Sequence, residues 1–286
     1  MHPHFPISAG DILWTLTFAA HLVLLVVLMG RDRIMRFPWF TTGVVIMALR
    51  ILTIRLLVKR LPELTMDTTI IVMADIGALV GLLVVVELAR RAFGGKVKRS
   101  TWVSGALVLM VLGAVVLKFW GPWPAWSTLT ARSTISTLRL LQLIAQKTSL
   151  LVDVETIAVG FLIVLLGSRF KAGWKSHVQQ IAIGLSTASI TQLLVQGIWQ
   201  SIVSAAIKNP AIAHSMADRT RIMGLGEKLS NTNSTIYIGI LIWWIVCLWR
   251  DEPWDKRPIP DAMAEETAAA VEAENHDTVS RFPEGE

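Results

Sequence analysis

Charge is scarce in this chain: 17% of its 286 residues are Asp, Glu, Lys or Arg, against about 25% in soluble domains. Cysteine is nearly absent. The single Cys247 excludes an intramolecular disulfide framework and any thiolate metal cage. The six histidines, His2, His4, His21, His177, His214 and His276, are scattered, so the clustered ligands of a zinc hydrolase are missing. No Gly-x-Ser-x-Gly elbow, Walker motif or kinase pattern occurs, which leaves an enzyme reading without a catalytic constellation. No lysine lies within the last apolar run, which argues against covalently held retinal. Nothing points to a bound cofactor.

What is present is hydrophobicity. Apolar residues make up 53% of the chain and the mean hydropathy is +0.56. One soluble core cannot hide that much apolar surface, so composition places the chain in the membrane class. Seven runs are long and apolar enough to cross a bilayer, which takes about 20 residues. They cover 12–29, 37–58, 69–88, 102–120, 149–168, 177–207 and 230–249. Helix is the state that satisfies backbone groups in lipid, so the expected fold is an all-α polytopic bundle of seven transmembrane helices over residues 1–250.

The pI of 9.8 invites a nucleic-acid reading, but the Lys and Arg residues sit mostly in short loops between apolar runs. With the N-terminus outside, the inner segments carry 14 basic residues: Arg31, Arg33 and Arg36; Arg90, Arg91, Lys96, Lys98 and Arg99; Arg169, Lys171 and Lys175; and Arg250, Lys256 and Arg257. The outer segments carry ten, mostly in two longer loops where charge orients less strongly. The expected topology is therefore N-terminus outside and C-terminus cytoplasmic, in an inner cell membrane. Tryptophans fit the same levels: Trp14, Trp120 and Trp199 lie near outer ends, and Trp39, Trp102 and Trp249 near inner ends. The first run lacks the basic n-region of a signal peptide and is expected to remain as an anchor. The basic inner loops are expected to meet anionic lipid headgroups.

Two connections are long. Residues 121–148 open with Gly121-Pro122-Trp123-Pro124 and then show helical spacing at Leu138, Leu141, Ile144 and Ala145, as an interfacial helix or an outward extension of the fifth span. Residues 208–229 read as a polar loop carrying Gly224-Leu225-Gly226, which without a preceding strand makes no dinucleotide site. The tail, 251–286, holds 11 acidic and three basic residues, whereas the preceding 250 residues carry a net +14. The formal +6 is thus the sum of two opposed parts. The tail reads as largely disordered, with a short helix over 263–273. The alternative is a tail that rests on the basic loops and competes there with anionic lipid.

Ionisable residues inside spans are costly and usually face a bundle interior or water. Arg50 and Arg55 in the second run, Asp75 in the third, and Asp153 and Glu155 in the fifth all fall in the outer half. Opposite charges at one depth predict an ion-pair network. Gln192, Gln196 and Gln200 in the sixth run recur every four residues and share a helix face, which Ser189 extends inward. With His21, Asn231, Asn233 and Tyr237 they define a candidate polar pocket open to the outer side. Arg55 has a simpler alternative, snorkelling to the interface, and the whole set has another, packing glue between helices. Asp153 and Glu155 lie about 200° apart on a helix and cannot act as one dyad. Glu87 is expected to meet loop arginines at the inner end. His21 is expected to be a hydrogen-bonded packing residue, since no second ligand has metal spacing. Gly77-x-x-x-Gly81, Gly43, Ala48 and Gly184 permit close helix approach.

Several segments resemble an uncharacterised family of bacterial seven-helix integral membrane proteins. They are Phe37-Pro38-Trp39-Phe40-Thr41-Thr42 with Ala48-Leu49-Arg50; Val86-Glu87-Leu88-Ala89-Arg90; His177 with Gly184-Leu185; and Tyr237-Ile238-Gly239 through Trp243-Trp244-Ile245-Val246 to Leu248-Trp249-Arg250 and Pro253. The resemblance implies topology, and it implies that Arg50, Glu87 and His177 are family features. It implies no activity. The residues themselves point first to a receptor-like or ligand-binding sensor that takes a small molecule or ion. A transporter or channel, and a scaffold that contacts a protein partner, are the alternatives. No internal repeat supports an inverted-repeat transporter, and few polar residues line an inner route.

Overall fold

The computed structural model describes residues 8–57, 60–93, 99–120, 123, 134–166, 176–208 and 216–251. Among these, seven helices and no strands are found: α1 (Ala9–Gly30), α2 (Pro38–Leu57), α3 (Glu63–Phe93), α4 (Arg99–Phe119), α5 (Thr134–Leu166), α6 (His177–Lys208) and α7 (Met216–Trp249). Six of them, all but α4, contain stretches of described residues long and apolar enough to cross a membrane. The acidic tail forms a unit of its own, and its expected helix and its disorder lie outside the described residues.

All the helices but α2 are longer than the apolar runs they correspond to. The helical spacing after residue 132 belongs to α5, so that stretch continues the fifth span toward the N-terminal side and is not a separate helix. Most of the polar stretch read as a loop over 208–229 is helical from Met216 onward and leads into α7 without a break. Hydropathy marks where lipid begins, not where helix ends. A polar segment outside the bilayer stays helical when its backbone has no competing cap or proline.

Local signals explain the starts and stops. Ser8 caps α1: its backbone is extended (φ −70°, ψ 153°) and its Oγ accepts the Asp11 N–H. After Gly30 the chain turns through Asp32 at φ 51°, a left-handed position that Asp tolerates. The Arg33 N–H closes that turn on the Leu28 carbonyl at 2.8 Å. Pro38 then opens α2, where its missing N–H costs nothing. Within the spans, threonines fold their hydroxyls back on the carbonyl four residues earlier, as Thr17, Thr41 and Thr156 do, so their polar groups do not meet lipid unpaired.

Helix neighbours define a ring: α1 packs on α2, α2 on α3, α3 on α5, α5 on α6, α6 on α7 and α7 on α1. α3 also touches α6 across the ring, and α4 packs on the flank of α5. The end of the bundle that holds Gly30, Pro38 and Trp249 is called the lower end. There the core is continuous, with Leu24, Leu28, Phe37, Val85, Leu88, Ile163, Ile181, Leu241 and Leu248 buried. Large apolar residues such as Val26, Phe161, Leu194 and Ile242 point outward and stay exposed, the arrangement of a bundle whose solvent is lipid. The mid-span pair divides accordingly: Trp243 is 45% exposed and Trp244 2%.

Small residues set the closest approaches. A Cβ on Gly184 of α6 would fall on the Trp244 indole of α7, and one on Gly160 of α5 on the Ser186 hydroxyl of α6. The motif Gly77-x-x-x-Gly81 is only half used. A Cβ on Gly81 would lie 3.0 Å from Val152 of α5, whereas one on Gly77 meets nothing within 4 Å.

Candidate functional site

Above the lower core the ring opens into a cavity of about 590 Å³ between α2, α3, α5, α6 and α7. Contacts between helices set the levels. Phe40 of α2 stacks edge-on against Trp244 of α7, with ring centroids 5.1 Å apart. Ser186 of α6 donates to the Thr156 carbonyl of α5 at 3.2 Å. Asn233 of α7 donates to Gln192 of α6 at 2.9 Å. With a rise of about 1.5 Å per residue, Arg50, Asp153, Ser189 and Tyr237 all lie about 18–20 Å from the lower ends of their helices. Gln192 and Asn233 lie a few ångströms higher, and Gln196 higher again. Phe40, Trp244 and Ile240 line the same cavity from below. The cavity is therefore apolar at its floor and polar at its upper wall.

Arg50, Asp153, Gln192 and Gln196, expected together from the sequence, do line this one cavity. The other four residues of the expected set do not. Arg55 turns to the upper surface, where its guanidinium pairs with Asp11 at 2.7 Å and lies over Trp14. Both partners of that pair are substantially exposed, so Arg55 is paired at the surface and not in the cavity. Glu155 faces α4, with Oε1 3.6 Å from the position of a Cβ on Gly113. That follows from its 200° offset from Asp153. Gln200 is exposed beyond the cavity rim, and Asp75 is absent from the lining.

The expected ion-pair network is not formed. No ion pair within 4.0 Å joins Arg50 to Asp75, Asp153 or Glu155. The Arg50 guanidinium thus stands in the cavity without a carboxylate partner among the described residues. Asp153 has the Ser189 hydroxyl beside it, while its Oδ2 is buried with no hydrogen-bond partner. Opposite charges face one space and do not meet.

A second polar unit supports the wall. His21 of α1 is fully buried. Its Nδ1 lies 2.7 Å from the Thr17 carbonyl and its Nε2 3.1 Å from the Tyr237 hydroxyl. A carbonyl can only accept, so Nδ1 carries the proton and Nε2 accepts from tyrosine. His21 is the hydrogen-bonded packing residue the sequence led us to expect. It also commits the Tyr237 proton, leaving the phenolic oxygen of a cavity-lining residue as an acceptor. Among the described residues no cluster of His, Cys, Asp or Glu could hold a metal ion.

At the lower end Glu87 does more than meet an arginine. Its Oε2 accepts the Phe40 N–H at 3.0 Å and its Oε1 lies 3.5 Å from Arg91, one turn along α3. A carboxylate from α3 therefore caps the N-terminus of α2, which carries no capping side chain of its own. His177 reaches the Arg250 carbonyl at 3.0 Å and ties the start of α6 to the end of α7. One contribution to the cavity was hidden by the loop assignment. Gln146, Ser149, Asp153 and Thr156 recur at spacings of three and four and all line it. That stripe is readable once α5 is extended N-terminally past residue 149.

The fold and the site together describe a multi-pass membrane protein with a cavity between five of its helices, apolar at the floor and polar at the upper wall. No family profile matches the chain, and neither a curated protein nor a solved structure is found to be similar to it.

Proposed function

We propose that this is a receptor-like, ligand-binding protein of an inner cell membrane, and that the cavity is its sensing pocket. The carrying observation is the Arg50 guanidinium, which lines an internal cavity without a carboxylate partner. A cation held in low dielectric without an anion is costly, and a ligand anion would remove that cost. A packing role would place a carboxylate against it. In this reading all seven helices span, with the N-terminus outside and the tail cytoplasmic, as the basic inner loops and the resemblance to bacterial seven-helix proteins favour. The upper end is then the outer end, and the pocket opens toward it. The inner loops and acidic tail would pass the signal to anionic lipid or to a protein partner. The protein acts as no enzyme in this scheme. The continuous core below the cavity makes transport the less favoured reading, because a route inward would have to part Leu24, Leu28, Leu241 and Leu248.

The test pairs native mass spectrometry of the purified protein with the variant Arg50→Met. A bound small molecule that is lost in the variant, with stability kept or raised, is the expected result. A protein that carries no molecule and is destabilised by Arg50→Met would make the arginine structural and end the sensing proposal.

A further inference from the structure

The chemistry of the cavity wall narrows the ligand. This step rests on the ligand-binding reading above. Arg50 and Asp153 line one cavity at one level, from helices α2 and α5 that are not neighbours in the ring. They are more than 4.0 Å apart, since no ion pair joins them. The guanidinium is a donor without an acceptor in any protonation state a protein reaches. The Asp153 Oδ2 is an acceptor without a donor. The Tyr237 oxygen, its proton given to His21, is a second acceptor on the α7 side. A lone anion would satisfy Arg50 and leave Asp153 facing it with like charge. A lone cation would do the reverse. A molecule carrying both charges a few ångströms apart satisfies both walls at once.

Below this level the lining changes to Phe40, Val44, Val84, Leu185, Ile240 and Trp244. Such a floor accepts an apolar group; its one side-chain donor, the unpaired Trp244 Nε1, lies against Gly184. The volume of about 590 Å³ lies within the ~300–1,000 Å³ of small-molecule sites. We propose that the cavity binds a small zwitterion with an apolar side chain, in the class of the hydrophobic α-amino acids. The carboxylate sits on Arg50, the ammonium on Asp153 and the side chain on the Phe40–Trp244 floor. Gln192 is held by Asn233 and gives the upper wall an oriented amide rather than a second charge.

The test uses the full-length chain in nanodiscs and three probes that share one ring: phenylalanine, 3-phenylpropanoate, which lacks the ammonium, and phenethylamine, which lacks the carboxylate. Calorimetric titration is expected to show phenylalanine binding at least about tenfold tighter than either analogue, the loss expected when a buried charged group is left unpaired. Asp153→Asn is expected to remove the preference for phenylalanine over 3-phenylpropanoate while leaving binding of 3-phenylpropanoate intact. Arg50→Gln is expected to weaken both carboxylates and spare phenethylamine. The wild-type comparison decides the matter even where a variant does not fold. Equal binding of phenylalanine and 3-phenylpropanoate would overturn the zwitterion and leave an anion sensor standing. Binding of none of the three, nor of leucine or tryptophan at millimolar concentration, would overturn it as well. The sensing proposal is judged separately, by what the purified protein carries and by Arg50→Met.

Discussion

Replacing Glu87 tests whether a carboxylate from one helix holds the start of another. The side chain is buried, accepts the Phe40 N–H at 3.0 Å and faces Arg91 at 3.5 Å. The first N–H groups of α2 have no partner inside their helix, and Pro38 removes one of those donors at no cost. A hydrogen bond to a charged acceptor contributes about 1.5–3 kcal/mol, and an anion at a helix N-terminus about 0.3–1 kcal/mol more. Glu87→Gln keeps the shape and an acceptor oxygen but removes the charge, so a loss of about 1–2 kcal/mol is expected. Glu87→Leu also leaves the Phe40 N–H unpaired and Arg91 without its anion, for a loss of about 2–4 kcal/mol. Reversible unfolding in mixed micelles with rising SDS would measure both. The order wild type, Gln, Leu is the essential result. Equal losses for the two variants, or a Leu variant as stable as wild type, would refute a capping role. Backbone amide exchange at Trp39 to Thr41 should accelerate in the Leu variant and not at the upper end of α2.

Other changes test the packing and the topology. Tyr237→Phe strands the buried His21 Nε2 and should cost about 1–2 kcal/mol in the same unfolding assay; an unchanged midpoint would mean that the bond is not formed. Gly184→Ala drives a methyl into the Trp244 indole and Gly77→Ala meets open space. The first should cost about 1–3 kcal/mol, and the second should stabilise by up to about 1 kcal/mol through helix propensity. Lys147 donates to the Trp120 carbonyl at 2.5 Å and lies over Trp123, so Lys147→Met should loosen the upper end of α4, read as faster proteolysis near residues 117–123. In a Cys247→Ser background, a cysteine at Ser8 should be labelled by an impermeant maleimide on intact cells, and one at Asp251 only after lysis. The reverse pattern would invert the bundle.

Depth was readable from the chain, and direction was not. A helix advances a fixed rise per residue, so counting from the span ends placed Arg50, Asp153 and the glutamine stripe in the same half of the bundle. The same counting put Arg55 and Glu155 in that half too. Arg55 lies five residues beyond Arg50, about 140° around the helix, and that angle carries it to Trp14 and Asp11 at the upper surface. Asp11 was overlooked as its partner because it precedes the first apolar run. Gln146 was overlooked for a different reason: its helical stretch was left open between an interfacial helix and an extension of the fifth span, and α5 continues through it.

Composition and the length of the apolar runs alone indicated the membrane class, the all-helical state and the approximate positions of the helices. Lipid leaves the backbone no other way to pair its own groups, so these follow without knowing which helix touches which. Tertiary structure decided how the helices are ordered in the ring, and with it which face of each meets the cavity. That is why Arg50 and Asp153 share a space without pairing, why Glu155 turns toward α4, and why Glu87 reaches across to cap α2. Each depends on rotation about a helix axis relative to its neighbours. That rotation is set by the fit of glycines such as Gly160 and Gly184 against the side chains opposite, which no single helix encodes.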